Sequence, residues 1–197
     1  MRWEIDVEDG RTMSERWLAG DPYRADAAIE ESCARAARLC RSYDDVDPAD
    51  GAGARTVLVE LLERVGEGTT LRPPIRFDHG HRTRFGARCF ANFGLVVLDV
   101  APVVVGDDVQ IGPGVQLLTP THPLDAEQRA EGWESAEPIT IEDGVWLGGG
   151  VVVLPGVTIG ARTVVGAGSV VSRDLPPDVL AMGSPARVVK QLGTRSV

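Results

Sequence analysis

Between Ile141 and Pro176 the chain reads in sixes: IEDGVW, LGGGVV, VLPGVT, IGARTV, VGAGSV and VSRDLP. An aliphatic residue opens each hexad. A small residue, often Gly, tends to follow it, and Val, Thr, Ser or another small or apolar residue tends to stand fifth. The same frame runs earlier from Val105 through VGDDVQ, IGPGVQ and LLTPTH, and less cleanly from Phe85 through FGARCF and ANFGLV. An alternating strand has a period of about two residues and an α-helix one of about 3.6, so neither returns Ile or Val at every sixth place. Three short strands joined by tight turns do, because they close one triangular coil in about eighteen residues. The opening aliphatic then points inward and stacks on its equivalent one coil away, with the small fifth residue facing in near the corner. One hexad cannot bury its aliphatic alone, whereas stacked coils make a continuous core. The corners favour Gly, Asn and Asp because some need φ > 0. The expected fold is mainly β, a parallel β-helix of hexapeptide repeats.

The repeat is interrupted once, at residues 123–138, PLDAEQRAEGWESAEP. This stretch is polar, charged and aperiodic, and is expected to protrude as a loop. It leaves directly after His122, the only histidine within the repeats. A loop leaving a rigid scaffold beside a titratable residue is where a site is expected. Ahead of the repeats the periodicity is helical. Residues 12–20 read as a short helix ended by Gly20, and residues 26–41 as a longer one with Ile29, Cys33, Ala36, Ala37 and Cys40 on one face. After the polar turn DDVDPADGAG, residues 56–65 form a third helical pattern, ended by Gly66 and Gly68, with Val57, Leu58, Leu61, Leu62 and Val65 on one side. Residues 1–10 are expected to be disordered or loosely attached. The chain thus divides into an N-terminal helical segment at 1–70, the β-helix at 71–182 and a closing segment at 183–197.

Composition narrows the function. Aromatics are 5% against 23 glycines, which suits a core of small and β-branched residues. A net charge of −9 repels phosphate backbones, so nucleic acid is not an expected partner, although a local cationic site for one anionic ligand remains compatible with it. The opening MRWEIDVEDG carries acids where a secretory signal needs an apolar stretch. The most apolar stretch, residues 145–159, is broken by glycines and a proline and is short for a bilayer. Cysteines at 33, 40 and 89 form no CxxC, so reduced, packed thiols in a cytoplasmic protein are expected.

Several segments carry a specific likeness: LAGDPY, the approach to PPIRFDHG, FANFG at 90–94, Leu98-Asp99, Thr121-His122-Pro-Leu-Asp125, the hexads after Pro138, and GSPARV from Gly183. Together they resemble the maltose and galactoside O-acetyltransferase branch of the hexapeptide acyltransferases, over about residues 12 to 192. The resemblance implies a left-handed coil, an N-terminal helical cap, acetyl-CoA as donor with no metal required, a small hydroxylated acceptor such as a sugar, and a homotrimer with sites between subunits. His122 is the candidate general base. A sugar hydroxyl does not ionise alone at neutral pH, and an imidazole of pKa near ~6.5 can take its proton as the C–O bond forms, then protonate the departing thiolate. The alternative for His122 is a turn histidine.

On the acceptor side the resemblance implies Asn92, whose amide can bond acceptor hydroxyls or a developing charge, and Asp78, Asp26 and Asp99; a turn asparagine tolerating φ > 0 is the alternative for Asn92, and solvated turn positions for the three acids. On the donor side it implies Gly149 and Ala167, whose small side chains let the pantetheine arm approach the main chain, with the Gly149 N–H as an oxyanion donor. Ser172, Arg173, Arg187 and Lys190 supply polar and cationic contacts for the phosphates; ordinary surface solubility is the alternative. Trp146 stacks beside the site or packs at a corner. HGHRTRFG and Trp133-Glu134 depart from the family's usual residues, which leaves the acceptor open. An antibiotic, a serine or an amino sugar is the alternative acceptor, and a non-catalytic β-helix an alternative function. A zinc hydratase on this scaffold, resembling the γ-class carbonic anhydrases, needs three histidine ligands in an HxxxxH pattern, and position 117 is Leu. Ser184 and Cys89 have no base partner in the pattern, so direct transfer is expected rather than a covalent acyl-enzyme.

Overall fold

The computed structural model describes residues 3–5 and 9–193. Three parallel sheets form the faces of a triangular prism. The first face stacks Arg64–Val65, Thr83–Phe85, Val103–Val105, Ile139–Ile141 and Thr158–Ile159. The second stacks Thr70–Leu71, Phe90–Ala91, Gln110–Ile111, Trp146–Leu147, Val164–Val165 and Val179–Gly183, and is closed by the antiparallel strand Ala186–Gln191. The third stacks Ile75–Phe77, Leu95–Leu98, Gln116–Leu118, Val152–Val153 and Val170–Val171. The parallel β-helix read from the hexads is the observed architecture. The residues that open the hexads, from Val105 and Ile111 to Val165 and Val171, are all buried and stack in register. Burying each such side chain contributes about 1.5–3 kcal/mol. The fifth residues Val109, Val115, Val145, Val151, Val157, Thr163 and Ser169 are buried beside them.

One corner shows why the turns tolerate charge. Between the first and second faces, the positions with φ near +60 to +70° are Gly68, Arg88, Asp108, Gly144, Arg162 and Asp178. A non-glycine residue there costs about 1–2 kcal/mol. Arg88 makes two bonds to Asp108, at 2.7 and 2.6 Å, and Arg162 makes the same pair to Asp178. Both pairs are solvent-facing, so each offsets only part of that cost.

The cap consists of α1 (Met13–Ala19), α2 (Ala27–Asp44) and α3 (Gly51–Leu61). Thr12 and Glu15 form a capping box on α1, and Gly20 ends it in the left-handed region. Helix α2 packs on α3 and on the strand Ile75–Phe77. Helix α3 departs from the expected 56–65 at both ends. It starts at Gly51 because the Asp50 carboxylate accepts from the Gly53 N–H. It stops at Leu61 because Glu63 N–H bonds to Thr83 O and Val65 pairs with Phe85, so the last residues of the helical pattern are already in the first coil. The β-helix therefore begins at Arg64, ahead of the expected 71. The segment 123–138 is more ordered than a plain loop. Pro120–Thr121 pairs antiparallel with Ser135–Ala136, and α4 (Ala126–Ala130) lies between them. The expectation of a loose N-terminus falls partly on residues outside those described. Trp3, which is described, is held by both its N–H and its C=O to the Gln128 amide at 2.8 Å each.

Candidate active site

Two concave regions hold five of the twelve expected residues. One is a cavity of about 670 Å³ at His122, walled by Met13 and Arg24 of the cap and by Arg129, Glu131 and Glu134 of the 123–138 segment. The chain enters it because His122 directly follows the strand Pro120–Thr121. The His122 Nδ1 lies 3.5 Å from the Trp133 carbonyl oxygen, a long contact, and the residue lines the cavity. Tyr23 and Glu134 exchange backbone bonds of 2.9 and 3.0 Å, which tie the cap to the segment. The Arg24 guanidinium lies 4.8 Å over the buried Trp133 ring. Arg24, Arg129 and Glu131 carried no periodic or motif signal, and were missed in the sequence for that reason.

Asp78 is half-buried near this cavity. Burial pushes its carboxyl up to about 6, and the charges of Asp99 and Glu134 push the same way. Asp99 itself is fully buried, and both oxygens are taken: Oδ1 accepts from the His79 N–H at 2.9 Å, and Oδ2 from the Thr83 hydroxyl at 2.9 Å. It is therefore neither a solvated turn residue nor free to meet a ligand. His79 is buried against Trp17, with ring centroids 4.5 Å apart, and burial pulls its pKa well below the ordinary value. Asp26 caps α2, accepting from the Ala28 and Ile29 N–H groups and from Ser14, and those bonds hold its carboxyl below the usual range. Of the thiols, Cys40 and Cys89 are buried, whereas Cys33 is only half-buried, its Sγ 3.8 Å from the His79 ring; all three are free.

The other region is a groove of about 530 Å³ on the second face and its corner with the third, lined by Asn92, Gly112, Trp146, Gly149, Ala167 and Leu180 among others. Trp146 stands on its floor, 54% exposed. Gly149 and Ala167 occupy equivalent corner positions one coil apart, and among the described residues neither N–H has a hydrogen-bond partner. Two unused backbone donors beside an exposed indole can bind a carbonyl-rich ligand. Arg187 and Lys190 lie opposite Met182 and Leu180 in the closing strand pair, at the end of this face. Ser172 and Arg173 are exposed at the corner between the third and first faces, so one chain does not bring them to the groove. His122 and Asn92 are likewise apart, at opposite edges of the third face.

Residues 16–66 match the family described as the maltose acetyltransferase hexapeptide capping motif, and residues 138–173 the bacterial transferase hexapeptide repeats. The chain is 36% identical over 184 residues to the galactoside O-acetyltransferase of Escherichia coli, covering 93% of this chain and 91% of that protein. It belongs to the hexapeptide-repeat acetyltransferases. Nodulation protein L of Rhizobium meliloti is 45% identical over 179 residues, covering 90% and 98% of the two chains. A hexapeptide-repeat acetyltransferase of Vibrio cholerae, solved in complex with acetyl coenzyme A, superposes with a TM-score of 0.86 at 39% identity, covering 93% of this chain and all of that one. In this acetyltransferase, as in those relatives, the cap and the coils form one continuous match. Among its described residues no three His, Cys, Asp or Glu side chains cluster as a metal site, and no helix is long and apolar enough to cross a membrane.

Proposed function

We propose that this acetyltransferase moves an acetyl group from acetyl-CoA to a hydroxyl of a sugar or similar small acceptor, by direct transfer with His122 as general base. The observation that carries the reading is the groove with two unpaired N–H donors, Gly149 and Ala167, beside Trp146. The pantetheine arm is rich in amide carbonyls that such donors can bond. The Gly149 N–H is assigned to the thioester oxygen, where negative charge grows as the acceptor attacks. Arg187 and Lys190 meet the phosphates at the end of the same face. Asp78 and Asn92 contact the acceptor. Asp26 is assigned to hold the cap wall of the His122 cavity through α2 rather than to touch the acceptor.

Cys89 is buried, its Sγ 2.9 Å from the Gly106 carbonyl, and burial raises its pKa, so it offers no ready thiolate. Among the described residues the Ser184 hydroxyl has no hydrogen-bond partner. Both facts favour attack by the acceptor itself. The acceptor hydroxyl gives its proton to His122 Nε2 while its oxygen bonds the acetyl carbon; collapse of the tetrahedral species breaks the C–S bond, and the imidazolium returns the proton to the thiolate sulfur.

A homotrimer is part of this reading. His122 and Asn92 cannot meet within one chain, but a neighbour packed on the third face brings its His122 edge to this chain's Asn92 edge. Most outward residues of that face are aliphatic, namely Val96, Leu98, Leu118, Val152, Leu154 and Val170, all half-buried in a single chain, with the exposed Arg76 and Gln116 between them. Light scattering is expected to give three times the 21.0 kDa chain mass; a stable monomer at micromolar concentration overturns the shared site. The mechanism is tested with His122→Ala, assayed by thiol release over mono- and disaccharides. Loss of a general base lowers kcat by about 10²–10⁴, with acetyl-CoA binding and the trimer kept. Near-full transfer in the variant, or a stable acetylated enzyme formed without acceptor, refutes the mechanism.

A further inference from the structure

Asn92 is an amide with two faces, one that only accepts and one that only donates. Its Oδ1 lies 2.9 Å from the backbone N–H of Phe93 and 3.2 Å from Nη1 of Arg72. Both neighbours are obligate donors, so the oxygen must be the atom that faces them. The Nδ2 hydrogens are then left for the groove that Asn92 lines. Arg72 is itself held in place from the other side, its guanidinium 5.4 Å over the Phe93 ring, which is 47% exposed. Its backbone N–H bonds to Ala91 O at 2.8 Å, which joins the first coil to the second at this corner. Arg72 has no carboxylate partner among the described residues, so its charge is not spent on an ion pair.

We infer that Arg72 is a positioning residue for the transfer step: clamped between Phe93 and Asn92, it locks the Asn92 amide with its oxygen turned away and its two N–H donors turned into the groove. An amide free to rotate by 180° presents a donor for only part of the time, and in the wrong state aims a lone pair at an oxygen that is gaining negative charge. A locked donor suits the thioester oxygen beside the Gly149 N–H, or an acceptor oxygen once it has lost its proton. It also suits a neutral hydroxyl, whose oxygen accepts from the amide while its proton leaves toward His122, but it excludes any role in which the Asn92 oxygen accepts from the acceptor. The chemistry assigned to Asn92 is thereby narrowed from either hydrogen-bonding role to donation alone, and the cause lies one coil away. This inference rests on the acetyl-transfer reading above.

The test is a double-mutant cycle between Arg72 and Asn92, read as kcat and as KM for acetyl-CoA separately. Arg72→Met is expected to lower kcat about three- to tenfold, the factor carried by one hydrogen bond of ordinary net strength, without changing KM for acetyl-CoA. In an Asn92→Ala background the same exchange is expected to change kcat less than about twofold, because nothing is left to position. Arg72→Lys, which keeps a donor in reach, is expected to restore most of the loss. An equal loss in both backgrounds, a rise in KM for acetyl-CoA, or no loss in the otherwise wild-type enzyme overturns the inference. The Asn92 side-chain NH₂ resonance of labelled, full-length enzyme reads the lock without turnover. Its two protons are expected to exchange faster in Arg72→Met, and unchanged exchange also overturns it. Wild-type enzyme that transfers acetyl to no hydroxyl acceptor refutes the proposed function instead, and the resonance still decides the lock.

Discussion

Gly112→Ala is a one-carbon change that separates coil packing from ordinary surface tolerance. Gly112 has unexceptional backbone angles, so the cost is steric rather than conformational. A Cβ there would sit 2.5 Å from Gly149 N, 2.8 Å from Gly148 C and 2.9 Å from Gly149 Cα. All three are backbone atoms of the next coil, and none can rotate aside. Reaching ordinary contact at 3.4 Å requires the coils to part locally by about 0.9 Å. That stretches the Gly112 N–H···O Leu147 bond, now 2.8 Å, past hydrogen-bonding range. Overpacking of this kind costs about 1–3 kcal/mol of stability. The larger effect is expected on rate, because the displaced N–H is the one assigned to the thioester oxygen. A shift of about 1 Å in a positioned group costs about 10²-fold, and outright loss of an oxyanion donor about 10²–10³-fold. The expected result is a kcat about 10²-fold below wild type by thiol release, in a protein that still folds by circular dichroism. Gly166→Ala is the control on the same groove. Its Cβ would meet the Met182 side chain at 2.9 Å and no backbone atom closer than 3.7 Å, and Met182 is 44% exposed at the last coil. Met182 Cβ cannot rotate aside, but reaching 3.4 Å needs a local shift of about 0.5 Å rather than 0.9 Å and moves no N–H assigned to the transfer, so a loss within about threefold is expected there. Equal effects from the two substitutions, or wild-type kcat in folded Gly112→Ala, refute the claim that the stack holds the Gly149 N–H to sub-ångström tolerance.

Two further outcomes are expected. Burial raises the Asp78 pKa to about 6, so folding holds its proton more tightly than the unfolded chain does, and stability falls as pH rises from about 4 through 6 and then levels. Asp78→Asn is therefore expected to melt higher than wild type above pH 6, by on the order of 1–3 kcal/mol, to lose that advantage near pH 4, and to raise KM for the acceptor. A melting difference independent of pH disproves the burial argument. Arg187→Ala is expected to raise KM for acetyl-CoA about tenfold, in line with the loss of a charge-assisted bond at an exposed position, with acceptor KM unchanged; an unaltered KM for acetyl-CoA removes Arg187 from the donor site.

The hexads alone determined the prism. Once Ile, Val and Leu recur at every sixth place, only a three-sided coil gives each of them a buried partner, and the inward column from Val105 to Val171 follows residue by residue. The helices α1 and α2 were legible for a local reason as well, since caps at Thr12, Gly20 and Asp26 are satisfied within a few residues of the chain. His122 stood out as a candidate because the repeat broke beside it.

What failed in the sequence depended on partners a coil or more away. Leu62 and Val65 fit the α3 stripe in sequence, but pairing of Val65 with Phe85 outweighs one more helical turn, because it seals the open end of the core. The first coils advance twenty residues rather than eighteen, as Val65, Phe85 and Val105 align, and the extra residues form the turns that bury Asp99 under His79 and Thr83. A periodic pattern specifies which side faces inward; it does not specify which corner a given turn occupies or which atoms meet there. Only the tertiary structure could separate His122 from Asn92 across the third face, set Ser172 and Arg173 at another corner, and turn the Asn92 oxygen toward Arg72, since each depends on stacking between coils rather than on spacing along one.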